Sequence, residues 1–227
     1  MVQHYIHRGL AKKNFKENTI KAFKFSFKKK YGVETDLHVT KDKQFVCFHD
    51  FTLKKKFKLN QKIKEVNYSI LKKISKKNKA EIPLLKNLLK ISKNKHPLLL
   101  EIKPLLKKES LLRLIKLIKN KKKYGVISFK EKNLKNLYKI NKKIPLGMTF
   151  RSSANFKSIK IKSQKKYIKF LVLEKKFLSN KHSESIKKKI YYYTIKSRRL
   201  FIKYKNKKNY IFEYFNYIFN FTIYNFI

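Results

Sequence analysis

The chain is short of acid: 13 Asp and Glu stand against 61 Lys and Arg in 227 residues, for a formal charge of +48. It is also nearly without cysteine. The single Cys47 excludes a disulfide framework and suits a reducing compartment. No apolar run is long enough for a membrane-spanning helix, and Met1 leads into a strand-like segment without the basic-then-apolar order of a signal peptide. A cytoplasmic location is therefore expected. Glycine is scarce: four residues, unclustered, lack the glycine-rich phosphate loop that a doubly wound sheet usually carries. Arginine is scarce as well, five of the 61 basic residues, and the lysines run the full length of the chain. Arginine is preferred for bidentate phosphate and base contacts, so a specific nucleic-acid partner is not expected. The wealth of Lys, Asn, Ile, Phe and Tyr fits the codon bias of an AT-rich gene. Most lysines then form a solvated surface that favours anionic substrates or weak association with anionic membranes.

What is present is enough for a core. A hydrophobic content of 42% and this length fit one folded domain. QHYIHRG (3–9) reads as a strand ending in a glycine turn. ENTIKAFKFSFKKKYG follows as a helix with Asn18 or Thr19 as its cap and Ile20, Phe23 and Phe27 on one face. PLLLEIKP (97–104) is an apolar run bounded by prolines, as in a buried parallel strand. ESLLRLIKLIKN, YGVISFK, EKNLKNLYKI, PLGMTF, IKFLVLE, IYYYTIKS and NYIFE continue a strand–helix alternation, with helical patterns expected around 182–189 and 197–207. Residues 51–80 read as a lysine-rich loop with the short helix YSILKKI, and 151–166 give no clear pattern. Nine candidate strands in parallel α/β order predict a compact single-domain (β/α)8 TIM-like barrel over 1–213, with one strand to spare. A doubly wound sheet is the competitor. Residues 214–227 read as an aromatic-rich tail: a final helix on the core, or a membrane-surface or dimer contact.

The stretch ETDLHVTKDKQFVCFHD (34–50) holds all three aspartates and two of the six histidines. It reads as two strands about a TKDK turn, and Glu34 and Asp36, two apart, share a face. Two carboxylates this close repel unless a proton or cation lies between them. The stretch alone is equally well a hairpin of solvated acids. In a barrel, however, the ends of the strands bearing His7 and Arg8, Glu34 and Asp36, His49 and Asp50, and Glu101 and Lys103 converge on one face. Three carboxylates, two histidines and two cations meeting there describe metal-assisted cleavage of a phosphate ester. Asp50 is expected to orient His49 or a neighbour and not to bind metal, Asp42 is a turn residue, and Cys47 a small buried hydrophobe. His4, His38, His96 and His182 read as ordinary core or surface histidines, and capping accounts for Asn18.

Taken in order, HRG (7–9), ENTIKAF (17–23), ETDLHVTKD (34–42), VCFHD (46–50), EIPLLKNLL (81–89) and LLLEIK (98–103) resemble the glycerophosphodiester phosphodiesterase family. Weaker echoes run on through NYIFE (209–213). The resemblance implies a divalent metal, Mg²⁺ or Ca²⁺, on Glu34, Asp36 and Glu101. It implies His7 and His49 as the acid/base pair, and Arg8 and Lys103 on the phosphate. The implied reaction turns a small-molecule glycerophosphodiester, a deacylated phospholipid, into glycerol 3-phosphate and an alcohol. Its alternatives are a related barrel phospholipase or lyase and a non-enzymatic basic nucleic-acid-binding protein. Lys16 stands where the family has proline, the arginine–threonine–glycine turn after HD is missing, PLL (83–85) replaces PTL, and Tyr192 or Tyr193 stands at the usual tryptophan.

Overall fold

The computed structural model describes residues 2–11 and 16–213; the expected tail at 214–227 lies outside the described residues. The chain runs β1 (His4–His7), α1 (Ile20–Lys28), β2 (Gly32–Val39), β3 (Phe45–Cys47), α2 (Lys54–Phe57), α3 (Tyr68–Lys77), α4 (Leu85–Ser92), β4 (Leu98–Ile102) and α5 (Lys108–Ile118). It continues through β5 (Tyr124–Ser128), α6 (Glu131–Ile140), β6 (Leu146–Phe150), α7 (Phe156–Ser163), β7 (Phe170–Glu174), β8 (Lys189–Ile195), α8 (Arg198–Tyr204) and β9 (Asn209–Phe212). Eight strands are parallel neighbours in the order β1, β2, β4, β5, β6, β7, β8, β9, and β1 pairs with both β2 and β9, closing the ring. This is the expected barrel. No helix among the described residues is long and apolar enough to cross a membrane.

The spare strand is β3. It runs antiparallel to β2, with Leu37 opposite Cys47, so the expected hairpin forms but its second strand stands outside the ring. Residues 51–80, expected as loop and short helix, join the flanking 45–50 and 81–84 in a satellite core: Val46, Phe48, Leu53, Phe57, Ile63, Val66, Leu71, Ile82 and Leu84. Between β7 and β8 the connection is two 3₁₀ turns, Lys175–Phe177 and Lys181–Ser185, where a helix was expected. The lysine- and serine-rich sequence there has too few apolar residues at helical spacing to seat one.

Two apolar layers follow from strand alternation. Residues such as Ile6, Val33, Leu100, Val126, Met148, Leu171 and Tyr210 face the helices and share the main core with Phe23, Leu88, Leu111 and Leu134. Their neighbours Tyr5, Leu99, Ile127, Phe170, Val172, Tyr191 and Ile211 plug the barrel interior. Of the expected α5 face, Leu111, Leu114 and Ile118 are buried and Ile115 is half-buried.

Glycine's scarcity gains meaning here. Gly125 and Gly147 flank the Phe170 ring, and a Cβ on Gly147 would overlap that ring. Gly147→Ala is accordingly expected to overpack the plug by about 1–3 kcal/mol and to lower Tm by roughly 2–12 °C at this chain length. A thermal scan showing no change would reject the packing account.

Candidate active site

Apart from the pair on the β3 loop, the residues implicated from the sequence lie level with or beyond the C-terminal end of β1, on the face where barrel enzymes do their chemistry. Register does the placing. His7 on β1 is the lateral partner of Glu34 on β2, and Asp36 is the partner of Glu101 on β4. Lys103 follows β4, its amide donating to the Leu37 carbonyl (3.2 Å). His49 and Asp50 arrive from beyond the ring on the β3 excursion. All seven predicted residues line a single cavity of about 150 Å³.

The carboxylates Glu34, Asp36 and Glu101 are buried, with oxygens lying within 4.8 Å of one another. Burial, with Asp36 and Glu101 alongside, pushes the Glu34 carboxyl well above its ordinary range. Glu101 is pushed up to about 7, by burial first and by Asp36 second. Asp36 is the exception. Burial opposes its charge too, but Arg8 Nε at 3.0 Å and Lys103 Nζ at 3.3 Å outweigh burial and hold it below the usual carboxylate range. Lys103 also pairs with Glu101 Oε1 at 2.9 Å. That oxygen is sealed from solvent and makes no well-directed hydrogen bond. Three crowded acids, one with an oxygen lacking such a bond and two held up toward protonation, form an all-oxygen donor set that fits a hard divalent cation.

Both histidines lie beside carboxylates. His49 Nδ1 lies 2.7 Å from Asp50 Oδ1, the orienting role expected of Asp50. Burial lowers the pKa of His49. His7 has Glu34 Oε2 at 3.9 Å from one ring nitrogen and Glu213 Oε1 at 3.8 Å from the other. Arg8 adopts a left-handed backbone (φ 56) ahead of Gly9 (φ 75), which turns its side chain back over the cavity to meet Asp36 and, at 2.9 Å, Glu17.

The family model for glycerophosphoryl diester phosphodiesterases matches residues 7–209, from the site histidine on β1 into β9. The chain belongs to the glycerophosphoryl diester phosphodiesterase family. It is accordingly a phosphoric diester hydrolase. Solved structures with the same fold include a glycerophosphodiester phosphodiesterase from Thermotoga maritima (21% identity, 93% of this chain and 94% of that one, TM-score 0.77). Another is an Oleispira antarctica phosphodiesterase in complex with the product sn-glycerol-3-phosphate (21%, 93% and 92%, TM-score 0.79). A third is a Parabacteroides distasonis glycerophosphodiester phosphodiesterase (19%, 93% and 92%, TM-score 0.76). No curated protein sequence gives a significant match.

Within this phosphodiesterase, three residues do more than their sequence context indicated. Asn18 is not the helix cap; Thr19 is, accepting from the Ala22 amide at 3.2 Å. Asn18 instead takes a left-handed backbone (φ 52), donates to Asp36 Oδ2 (3.2 Å) and accepts from Thr35 Oγ1 (2.7 Å). His38 is buried, its Nε2 lies 3.1 Å from the His49 carbonyl oxygen, and burial drives its pKa down to about 4. It follows Asp36 by two, so the i, i+2, i+4 run Glu34–Asp36–His38 already pointed to it. Glu213, beside His7, could have been found as an acid directly after the last strand. Asp42 does serve the turn, accepting from Thr40 Oγ1 (2.6 Å) and the Tyr68 amide (3.0 Å). Cys47 is buried, as expected. His96 stacks on Phe27, His4 packs among Phe201, Tyr210 and Phe212, and the His182 side chain lies outside the described residues. Of the tyrosines standing for tryptophan, Tyr193 lines the cavity and Tyr192 faces the helices.

Proposed function

We propose that the protein hydrolyses glycerophosphodiesters to glycerol 3-phosphate and an alcohol, with His7 and His49 as its acid/base pair. The observation that carries this reading is the meeting of both histidines, both cations and three carboxylates in one cavity. Arg8 and Lys103 hold the phosphate, each anchored on Asp36 so that its charge is fixed before substrate arrives. His49, with Asp50 fixing Nδ1, presents Nε2 as an unprotonated acceptor for a proton of the attacking water, whose oxygen bonds to phosphorus. As a P–O bond forms on that side, the opposite P–O bond breaks and its alkoxide takes a proton from His7. Glu34, Asp36 and Glu101 would hold Mg²⁺ or Ca²⁺, whose chemistry is to neutralise charge on the phosphoryl oxygens.

The test is glycerol 3-phosphate release from glycerophosphocholine and glycerophosphoethanolamine with Mg²⁺, with Ca²⁺ and with EDTA. Turnover with a cation and none in EDTA is expected. Folded protein that releases no product with either cation would overturn the proposal.

A further inference from the structure

Across the ring from β1 and β2, β6 and β7 bring Thr149 and Val172 to the cavity, and Ile127, Phe129, Tyr193, Thr194 and Ile211 complete its lining. The Tyr193 hydroxyl is engaged, donating to the Phe150 carbonyl at 2.9 Å. Thr149 is different. Its neighbours on β6, Met148 and Phe150, belong to the core between barrel and helices, so alternation turns Thr149 inward. Thr149 is 3% exposed, and its hydroxyl is sealed from solvent with no hydrogen-bond partner among the described residues. Valine would fill the same shape without stranding a polar group, and buried hydroxyls in folded proteins are almost always paired.

We propose that Thr149 is a substrate-positioning residue that binds a hydroxyl of the diester's glycerol half, an inference that rests on the phosphodiesterase reading. Arg8 and Lys103 fix the phosphate on the opposite wall, which leaves the organic half against Phe129, Val172 and Thr149. The cavity's volume of about 150 Å³ leaves room for a three-carbon polyol beside the phosphate. A threonine hydroxyl both donates and accepts, as a glycerol hydroxyl does, so one pair satisfies both groups. An esterified choline offers neither donor nor acceptor at its ammonium. The glycerol half is thus the complementary occupant.

The test compares wild type, Thr149→Val and Thr149→Ser on glycerophosphocholine and on propyl phosphocholine, in which propyl replaces glyceryl. Thr149→Val is expected to lose about three- to tenfold in kcat/KM on the glyceryl diester, the equivalent of one neutral hydrogen bond. It should lose nothing on the propyl diester, and Thr149→Ser should regain most of the loss. Equal losses on both diesters, or none on either, would overturn the assignment, the second outcome leaving the hydroxyl to water alone. Calorimetry with glycerol 3-phosphate gives a separate readout. If wild type turns over neither diester, the phosphodiesterase reading fails by itself. Equal product affinity in wild type and Thr149→Val would then reject the Thr149 role too, and weaker affinity in the variant would support it.

Discussion

Asp36→Asn is expected to cost about 3–5 kcal/mol of stability, the usual penalty for breaking a buried ion pair, and to lower Tm by roughly 6–20 °C. Glu34→Gln, two residues away and equally buried, is expected to raise the Tm of the metal-free protein. The contrast follows from partners. Asp36 neutralises Arg8 and Lys103 and accepts from Asn18, so its charge holds three other groups in place. Glu34 has no such cation of its own: the Arg8 amide at 3.4 Å and His7 at 3.9 Å are its contacts, while Asp36 and Glu101 repel it. Removing its charge relieves repulsion that a bound cation otherwise offsets. Adding Mg²⁺ or Ca²⁺ should therefore raise the wild-type Tm, through binding to the native state alone, and leave Glu34→Gln unmoved. Both variants should lose turnover. Thermal scans with and without cation decide the matter, and Tm shifts of the same sign in both metal-free variants would reject the division of roles.

His49→Asn should lower kcat by about 10²–10⁴-fold, the range for a general acid–base group, while leaving Tm within roughly 2 °C. His49 is tied to the fold mainly through its backbone carbonyl, which the variant keeps, and about a third of its side chain is open to solvent. The cation-induced rise in Tm should persist, because none of the three crowded carboxylates is altered. Turnover within threefold of wild type would remove His49 from the chemistry.

How much of this was legible beforehand depended on distance along the chain. Glu34 and Asp36, or Glu101 and Lys103, announce themselves because strand alternation sets residues two apart on one face. His7, Arg8 and His49 stood at ends of strand-like runs, where loop chemistry concentrates. Asn18 was misread because an asparagine before a helix caps it in most settings. Here Thr19 caps, and Asn18 is released toward an acid that only β2 brings near. The satellite core under residues 45–84 was hidden by lysines, whose apolar stems and charged heads blur any period. The weak pattern of 151–166 concealed α7 for the same reason. Thr149 carries no local motif, and only the folded ring puts it in the cavity; Glu213, though it follows the last strand, meets His7 only because β9 closes against β1.

That closure has a consequence for synthesis. β1 is flanked by β2 on one side and β9 on the other, with His4 opposite Tyr210. At about 5–20 residues per second, the first strand waits roughly 10–40 s for its last neighbour. Late in that interval the acids Glu34, Asp36 and Glu101 already exist, while β1 and the newly made β8 each present an unpaired edge. Such long-range pairing makes for slow folding. The high positive charge, of little evident use in the finished site, repels like chains during the period when those open edges are most prone to find one another.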